Sequence, residues 1–419
     1  MKFGLENMLR ICETLGHPER SFQSVIVAGT NGKGSVTAMT SAALHAAGYR
    51  TGRYTSPHLE RIEERFVIGE REVETSELES AALTIQRTVE RLVATGVLDT
   101  LPTFFECATA IAFELFRRAA VEVAAIEVGL GGRLDATNVI TPMAAAITSI
   151  DFDHQDLLGK TLESIAREKA GVIKPGIPVV VGPVAPGALT VIADTCKDQH
   201  AKLVLAAEEV RVSAAAGAST ADGTMVSFER GGVRLDDVMV ALRGRHQIDN
   251  ATVAFGLMTE LAGLGLRLDT NAMRAGLSQA RWPGRLEHFR WRGAEVILDA
   301  AHNAAGARAL SVYLREQAWT DVTLVLGVMR DKDVTSIVSA LLPCCGTLIC
   351  TTAPSPRALD ADDLAALAAS VARDMGAGSA EIVAVAEPAN ALARACQPGA
   401  RVVAAGSIFL IGPLRGILR

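Results

Sequence analysis

The sequence predicts an α/β protein built on a mostly parallel sheet, and three observations support that prediction. Short runs of β-branched and other apolar residues recur at 24–30, 121–129, 143–150 and 178–182. Longer helical patterns separate them, and strands that are apolar on both faces and alternate with helices are typical of a parallel sheet covered by helices. A length of 419 residues, at about 150 residues per domain, indicates two or three domains.

Several elements have boundaries that can be predicted from local signals. One helix is expected over residues 35–47, before Gly48, and another from a capping box at 76–79 to a point before Gly96. The segment 203–242 alternates polar and apolar residues around a Gly-Gly turn, which predicts an antiparallel patch. A further helix is expected over about 250–264.

A domain boundary is expected between residues 282 and 283. Residues 281–285, with the sequence RWPGR, combine two turn-forming residues with an aromatic and two cations, which indicates a linker. We therefore expect one domain over 1–282. Beyond it, strand-like runs alternate with Ala- and Leu-rich helices, which predicts a smaller α/β domain over 283–419.

Composition excludes several classes of protein. With 49% hydrophobic residues, 21% charged residues and a net charge of −6, the chain is not intrinsically disordered, and its acidic balance makes nucleic acid an unexpected partner. The uncharged stretch 177–193 contains prolines and glycines that exclude a membrane-spanning helix. Seven scattered cysteines without a CxxC pair, and no secretory signal at the N-terminus, predict a reducing cytoplasm.

The segment 29–35, GTNGKGS, follows a predicted strand and opens a predicted helix. Backbone N–H groups and the positive end of the helix dipole favour phosphate at such a turn, and Lys33 and Ser35 supply a cation and a hydroxyl. The spacing departs from the standard P-loop, because Val27 occupies its first glycine position and Gly34 separates Lys33 from Ser35. The alternative is a glycine-rich turn with a solvated lysine.

A second glycine cluster, 127–138 (EVGLGGRLDATN), also follows a strand. Leu134 stands where a dinucleotide-binding motif has its third glycine, which argues against an oxidoreductase. Glu127 lies at the carboxyl end of its strand, where a carboxylate beside a phosphate loop would bind Mg²⁺. A surface or helix-capping glutamate is the alternative.

Two other side chains allow more than one interpretation. His154 lies in a loop after a strand, where histidine serves as a metal ligand, as an acid or base, or simply as a polar loop residue. Cys107 has no neighbouring base in the sequence that would activate a thiolate, so we expect it to belong to the core.

Taken together, ten ordered motifs are similar to those of the folylpolyglutamate synthase/dihydrofolate synthase family, within the Mur-ligase group of ATP-dependent amide-bond ligases. The resemblance runs from about Leu15 to Gly412. The motifs are GTNGKGS (29–35), TSPHL (55–59), TFFE (103–106), EVGLGGRLDATN (127–138), DHQDLLG (153–159), EKAGVIKPG (168–176), GRHQIDNA (244–251), RWPGRLE (281–287), LDAAHN (298–303) and AAGSIFLIG (404–412).

This resemblance implies an ATPase domain with a modified P-loop and a smaller, Rossmann-like C-terminal domain that contributes to nucleotide and glutamate binding. It assigns ATP binding to residues in both domains. The phosphates would be bound by Gly32, Lys33, Gly34 and Ser35, and the base and ribose by Asn250, Arg285 and Asp299, with His302 reaching phosphate or the attacking amine.

The resemblance also implies magnesium, with two sites expected. Ser56, Glu127 and His154 would hold the metal, and Lys169 would be the lysine that this family carbamylates, which supplies oxygen ligands for a second ion. Lys169 as an unmodified, phosphate-neutralising cation is the alternative. Lys33, Lys169 and His154 are the residues expected to serve catalysis.

The pterin-binding stretches of the family correspond to two short segments of this sequence. Two aromatic rings offer a surface for a flat heterocycle, and two carboxylates offer hydrogen-bond acceptors for an aminopyrimidine edge. For the two phenylalanines, core packing is the alternative. These residues are Thr103, Phe104, Phe105 and Glu106, with Leu134, Asp135 and Ala136.

The implied function is ATP-dependent ligation of L-glutamate to dihydropteroate, to reduced folate, or to both, through an acyl phosphate. The intact pterin stretches favour both activities, and a monomer is expected. Other hypotheses are a cell-wall type Mur ligase, a P-loop ATPase that acts as a switch, and a catalytically silent nucleotide-binding module. A switch would not need the LDATN motif, and a silent module would have lost a metal ligand, whereas Glu127, His154 and Lys169 are all present.

Overall fold

The structure is a computed structural model of the chain, and it describes residues 4–214, 219–220, 223–376 and 380–419. The chain divides into two compact units, and each has its own hydrophobic core. The first unit comprises Met1–Asp151, Leu158–Ala241 and Gln247–Arg281; the second comprises Phe152–Leu157, Leu242–His246 and Trp282–Arg419.

The strands and helices up to residue 279 belong mainly to the first unit. The strands are β1 (Gln23–Ala28), β2 (Thr51–Tyr54), β3 (Phe66–Ile68), β4 (Arg71–Glu72), β5 (Val123–Glu127), β6 (Ala144–Ile147), β7 (Pro178–Val181), β8 (Lys202–Leu205), β9 (Arg211–Ser213), β10 (Ser219–Thr220), β11 (Gly223–Arg230) and β12 (Val233–Val240). The helices are α1 (Glu6–Thr14), α2 (Lys33–Ala46), α3 (Thr75–Ala94), α4 (Phe104–Arg118), α5 (Gln155–Leu158), α6 (Leu162–Ala170), α7 (Pro186–Asp198), α8 (Ala206–Glu209), α9 (Arg245–Gly263) and α10 (Thr270–Gln279), with short 3-10 helices at Pro18–Arg20, Ile62–Arg65 and Ala136–Val139.

The main sheet of the first unit has the strand order β4-β3-β2-β5-β1-β6-β7-β8. All neighbouring pairs from β2 to β8 are parallel, and β3 and β4 are antiparallel additions at one edge. In β1, the residues from Val25 to Ala28 are fully buried, as expected of a strand covered on both faces. From β1 the chain continues to β2, toward the edge formed by β4, whereas from β5 it continues to β6, toward the edge formed by β8. The carboxyl end of β1 therefore lies at the switch point, where sheets of this kind bind ligands.

Three helices of the first unit begin earlier than the sequence signals indicated. Helix α2 begins at Lys33, two residues before the predicted start. Helix α3 begins at Thr75, because the Glu77 side chain accepts from the Glu74 backbone N–H at 2.7 Å and forms the capping box there, two residues before the predicted one. Helix α9 begins at Arg245 and ends at Gly263, so the start predicted at residue 250 is more than one turn too late. The predicted strand regions around β1, β5, β6 and β7 are confirmed.

The predicted antiparallel patch at 203–242 was partly wrong. Its first strand, β8, pairs in parallel with β7 and closes one edge of the main sheet. Residues 203–205 of β8 are a continuous apolar run, which is typical of a parallel strand, and the alternation that suggested an antiparallel patch belongs to the residues that follow β8. The later strands β9 to β12 form a separate antiparallel sheet. Residues 215–218 and 221–222 of the predicted segment lie outside the described residues.

The second unit contains a six-stranded sheet in the order β13-β14-β18-β15-β16-β17, parallel except for β13. The five predicted strand regions are confirmed, and β13 was not predicted. Its strands are β13 (Glu287–Trp291), β14 (Ala294–Leu298), β15 (Val322–Leu326), β16 (Cys345–Cys350), β17 (Glu381–Ala384) and β18 (Arg401–Ala405). Its helices are α11 (Ala304–Glu316), α12 (Val334–Leu341), α13 (Ala361–Asp374), α14 (Pro388–Ala395) and α15 (Ile408–Leu418), with a 3-10 helix at Leu342–Cys344. No helix in the described ranges is long and apolar enough to cross a bilayer.

Glu260 on α9 connects the antiparallel sheet to the main sheet. Its carboxylate accepts from Lys202 Nζ of β8 at 2.7 and 2.9 Å, and from Arg230 Nη2 of β11 at 2.6 Å. Burial raises the pKa of Glu260, but the hydrogen bonds from Lys202 and Arg230 and their charges outweigh burial and lower it below the ordinary value. The ionised carboxylate is therefore favoured in the folded chain.

We expect Glu260→Gln to lower the free energy of unfolding by about 2 kcal/mol at pH 7, because charged hydrogen bonds from two cations are lost. The native carboxylate has the lower pKa, so its contribution is complete above the unfolded value near 4.5 and is lost as pH falls through the folded value. Urea unfolding at pH 7 and pH 4 should show the deficit shrinking at the lower pH. Glu208→Gln, at an exposed glutamate on α8, is the matched control and should change little; an equal deficit in both variants would contradict the assignment.

Candidate active site

The loop between β1 and α2 forms the centre of the candidate site. Helix α2 begins at Lys33, with Gly32 as its N-cap, so the backbone N–H groups of its first turn lie at the carboxyl end of the central strand. The loop is fastened to the segment after β6: Thr30 N donates to Ser149 O at 2.8 Å, and Asn31 N donates to Ser149 Oγ at 3.0 Å. A helix N-terminus held in this way favours an anion such as phosphate.

Gly32 has a φ of 85°, the left-handed region that favours glycine, and it lies against Asn250 of α9. A Cβ atom at this position would be 2.1 Å from Asn250 Oδ1. The Asn250 amide is itself held by Gln247, with Nδ2 donating to Oε1 at 2.9 Å. The structure thus brings the predicted nucleotide-binding residue Asn250 onto the phosphate loop.

Two lysines converge on the carbonyl oxygen of Gly29. Lys33 Nζ donates to Gly29 O and to Thr30 O, each at 3.1 Å, and Lys169 Nζ donates to Gly29 O at 2.9 Å. Lys169 is 4% exposed and reaches the loop from the last turn of α6. Two ammonium groups beside the positive end of a helix dipole concentrate positive charge at the loop. This arrangement attracts a polyanion.

Glu127 occupies the neighbouring strand end. It is the register partner of Val27, the penultimate residue of β1, and it is 4% exposed. Its Oε2 atom accepts from the backbone N–H of Ser56 at 3.2 Å, so the predicted metal ligands Ser56 and Glu127 lie side by side. A buried carboxylate one strand away from the phosphate loop fits a magnesium ion, which is usually bound by one or two carboxylates together with phosphate and water.

The described residues contain no group of three or more His, Cys, Asp or Glu side chains that would form an all-protein metal site. His154, the third predicted ligand, belongs to the second unit.

The predicted pterin residues lie at the start of α4 and in the loop after β5. Thr103 and Glu106 form the capping box of α4: Thr103 N donates to Glu106 Oε2 at 2.7 Å, and Glu106 N donates to Thr103 Oγ1 at 3.2 Å. Phe104 is 60% exposed. Phe105 packs against Gly129, where a Cβ atom would be 2.3 Å from the ring. Phe105 therefore packs against the core, whereas Phe104 is exposed at the surface of the first unit.

Asp135, in the second pterin stretch between Leu134 and Ala136, is buried and fully engaged with its own loop. Its Oδ2 accepts from Leu130 N at 2.8 Å, and its Oδ1 accepts from Thr137 N at 3.0 Å and from Thr137 Oγ1 at 2.6 Å. Burial raises the pKa of Asp135, although these hydrogen bonds favour the charged form. The observed contacts give this carboxylate a structural role in shaping the loop.

In the second unit, Asp299 follows β14 and joins two backbone segments. Its Oδ2 accepts from Leu286 N and its Oδ1 from Ala301 N, both at 2.9 Å, so it fixes the chain next to Arg285 and next to His302. His302 Nδ1 lies 2.9 Å from Ala300 O. A carbonyl oxygen only accepts, so Nδ1 carries the proton in this contact.

Sequence reasoning missed a polar cluster around Asp153 in the second unit. Lys332 Nζ donates to Asp153 Oδ1, Asn303 Nδ2 donates to Oδ2 at 3.1 Å, and His302 Nε2 lies 3.5 Å from Oδ2. His154 Nε2 is 3.4 Å from Lys332 Nζ. Burial raises the pKa of Asp153, but the hydrogen bond from His302 and the charges of Lys332 and the two histidines outweigh it and hold that pKa well below its ordinary value. The only available signal was that Lys332 and Asn303 both follow strands.

All seven cysteines are free, and Cys107 is half-buried. Burial, and then the charge of Glu106, raises the pKa of the Cys107 thiol. The thiol form is favoured, which is the opposite of what an activated nucleophile requires.

The sequence matches two protein-family models. The model described as the Mur ligase middle domain matches residues 27–258, and the one described as the Mur ligase, glutamate ligase domain matches residues 284–408. A dihydrofolate synthase/folylpolyglutamate synthase from Mycobacterium tuberculosis is 37% identical over 379 residues, covering 86% of this chain and 76% of the relative. The chain belongs to the folylpolyglutamate synthase/dihydrofolate synthase family of Mur ligases. The family resemblance and the fold class predicted from the sequence are confirmed.

Other members of the family extend the comparison. A probable bifunctional folylpolyglutamate synthase/dihydropteroate synthase from Halobacterium salinarum is 36% identical over 427 residues, covering 99% of this chain. This chain spans only 49% of that protein. A crystal structure of M. tuberculosis folylpolyglutamate synthase complexed with ADP and AMPPCP has a TM-score of 0.89 and 34% identity, covering 99% of this chain and 95% of that one. An Escherichia coli FolC structure in complex with DHPP and ADP has a TM-score of 0.85 and 29% identity, covering 100% and 93%.

We expect Gly32→Ala to lower the free energy of unfolding by about 3 kcal/mol, the sum of the left-handed backbone cost and the collision with Asn250. Gly48, just beyond the end of the same helix, has the same φ of 85°, but a Cβ atom there would have no other atom within 4 Å, so Gly48→Ala should cost only about 1 kcal/mol. Urea unfolding of both variants measures the difference. Equal costs would mean that Asn250 moves aside freely and does not restrict the loop.

Proposed function

We propose that this chain is an ATP-dependent ligase that joins L-glutamate to dihydropteroate and to reduced folates. The observation that supports it most directly is the convergence of Lys33 and Lys169 on the loop at the N-terminus of α2, beside the buried carboxylate of Glu127. This arrangement suits a triphosphate and magnesium in a chain of the folylpolyglutamate synthase/dihydrofolate synthase family. The relatives named for both activities support the choice of substrates.

The proposed reaction has two steps. A carboxylate oxygen of the pteroate or folate attacks the γ-phosphorus of ATP, the bond to the bridging oxygen of ADP breaks, and an acyl phosphate forms. The glutamate amine then attacks the acyl carbon, phosphate leaves, and a proton is released from nitrogen. Phosphoryl transfer depends on positioning and on charge neutralisation, which explains a site made of backbone N–H groups and lysines without a protein nucleophile.

The family resemblance supports a proposed role for each side chain. Gly32, Gly34 and Ser35 would offer backbone N–H groups to the phosphates, and Lys33 would neutralise them. Magnesium would be held by Ser56, Glu127 and His154, and when bound it neutralises the phosphate oxygens. Asn250, Arg285 and Asp299 would contact the base and ribose, with His302 reaching phosphate or the amine.

Lys169 is proposed to carry a carbamate. Its amine would attack CO2, a C–N bond would form, and one proton would be lost, which turns a cation into an oxygen donor for a second magnesium ion. The carbamate nitrogen keeps one N–H, so the hydrogen bond to Gly29 O is compatible with both forms. An unmodified Lys169 would instead add a second cation to the phosphate site.

The pterin is proposed to lie near Thr103, Phe104, Phe105 and Glu106, with Leu134, Asp135 and Ala136 in the second stretch. Because Asp135 already accepts three hydrogen bonds, its contribution would be to shape that loop more than to bind the pterin alone. We further propose a monomer in a reducing cytoplasm, which suits seven free cysteines.

The decisive experiment measures ADP release with dihydropteroate, and separately with a reduced folate, each with and without glutamate. We expect ADP release to require both the pterin substrate and glutamate, with a product longer by one glutamate in mass spectrometry. Release that is independent of both would indicate an ATPase switch. Release that requires an amino acid other than glutamate would indicate another Mur-type ligase.

Two substitutions should remove turnover while the fold is kept. Lys33→Ala removes a phosphate-neutralising cation and Glu127→Ala removes the carboxylate beside it, and each should lower kcat by about a thousandfold or more. Cys107→Ala is the control and should keep most of the activity. Loss of activity in a folded Cys107→Ala variant would contradict the assignment of that thiol to packing.

A further inference from the structure

Arg65 is a buried arginine in the first unit, at the end of the 3-10 helix Ile62–Arg65, and it is 7% exposed. In the described part of the chain it has no carboxylate partner within ion-pairing distance. Another buried arginine, Arg415, does have one, with its Nε 2.8 Å from Glu287 Oε2, and so does the partly buried Arg230, with its Nη2 2.6 Å from Glu260 Oε1. Buried charges are ordinarily paired, so an arginine without a partner indicates a place for an anion.

The Arg65 guanidinium contacts neutral side chains. Its Nε donates to His58 Nδ1 at 2.9 Å, and its central carbon lies 5.3 Å from the centroid of the Phe104 ring. Its backbone carbonyl accepts from Thr55 N at 3.1 Å, which ties it to the loop containing Ser56. An arginine keeps its charge even when buried, and its planar fork suits a carboxylate.

The surroundings of Arg65 indicate which carboxylate that is. Phe104, the exposed aromatic of the first pterin stretch, lies against the Arg65 guanidinium. The Arg65 backbone carbonyl accepts from Thr55, and the next residue, Ser56, donates its N–H to Glu127 Oε2. Arg65 therefore neighbours both the place expected for the acceptor's rings and the loop that contacts the carboxylate expected to hold magnesium.

We propose that Arg65 binds the carboxylate of the acceptor that becomes phosphorylated, and that it is a specificity-determining residue of the site. This rests on the proposed function. The aromatic ring of the acceptor that carries the carboxylate would lie beside Phe104. The guanidinium of Arg65 would hold the carboxylate on the side of Glu127. The same contact explains how a neutral analogue of the acceptor is rejected, because it leaves a buried guanidinium unpaired.

The test compares binding of pteroate and of its neutral carboxamide by isothermal titration calorimetry without ATP. We expect the unmodified chain to prefer the acid by about 10- to 100-fold, the range for a charged hydrogen-bonded pair. In Arg65→Met the two affinities should become equal, and Arg65→Lys should restore part of the preference. In the ligation assay, Arg65→Lys should raise KM for the pterin acid and leave KM for ATP unchanged.

The matched control is Arg71→Met, at an arginine paired with Glu77 on the surface, which should keep the full preference. A merely structural Arg65 would weaken both ligands equally and leave their ratio unchanged. An unchanged ratio of the affinities for acid and carboxamide in Arg65→Met or Arg65→Lys would overturn the inference. Equal binding of the two ligands by the unmodified chain would also overturn it, and that measurement does not depend on the folding of any variant. If instead the unmodified chain prefers the acid but never transfers glutamate to it, the proposed function is wrong, and Arg65 is left as a carboxylate-binding residue without a role in ligation.

Discussion

The chemistry of this site depends on the concentration of positive charge at one turn of the backbone. The carbonyl oxygen of Gly29 receives hydrogen bonds from two lysines that come from different helices, and the turn continues directly into the N-terminus of α2. While Lys169 is unmodified, the two ammonium groups repel each other, and an anion of high charge relieves that repulsion. With the carbamate proposed for Lys169, Lys33 would remain the cation of the turn and a magnesium ion would supply the other positive charge. The apolar burial of β1 makes this possible, because it fixes the turn firmly enough to keep both lysines in place.

The parallel sheet determines which other residues meet there. The carboxyl ends of β1 and β5 lie side by side in register, which places Glu127 beside the phosphate loop although the two are far apart in sequence. Ser56 comes after β2, the next strand in the same direction, and its N–H completes the contact. The second unit repeats the principle, since Asp299, His302 and Lys332 all follow strand ends of its sheet.

Sequence reasoning identified the fold class, the family and the strand, turn and helix around the phosphate loop, because each has a strong local signal. It was less successful where the local signal was weak or ambiguous. Strand β8 is followed closely by the alternating residues of the antiparallel sheet, which hid its own continuous apolar run, and β13 is a short antiparallel addition with charged residues. The contact between Asp153 and Lys332 joins residues 179 positions apart and has no periodicity to show it. Arg65 was missed for a similar reason, since nothing in a sequence distinguishes a buried arginine without a carboxylate from an exposed one.

The second unit is assembled from three separate stretches of chain, and this has an evolutionary consequence. Phe152–Leu157 contributes Asp153 and His154 to a cluster whose other members lie beyond residue 301. A single crossover during recombination near residue 281 would exchange most of that unit but would leave Lys332 facing a carboxylate inherited from a different ancestor. Gene fragments exchanged between distant ligases therefore have to match at the short inserted segment as well, which favours divergence of the whole chain over shuffling of its halves.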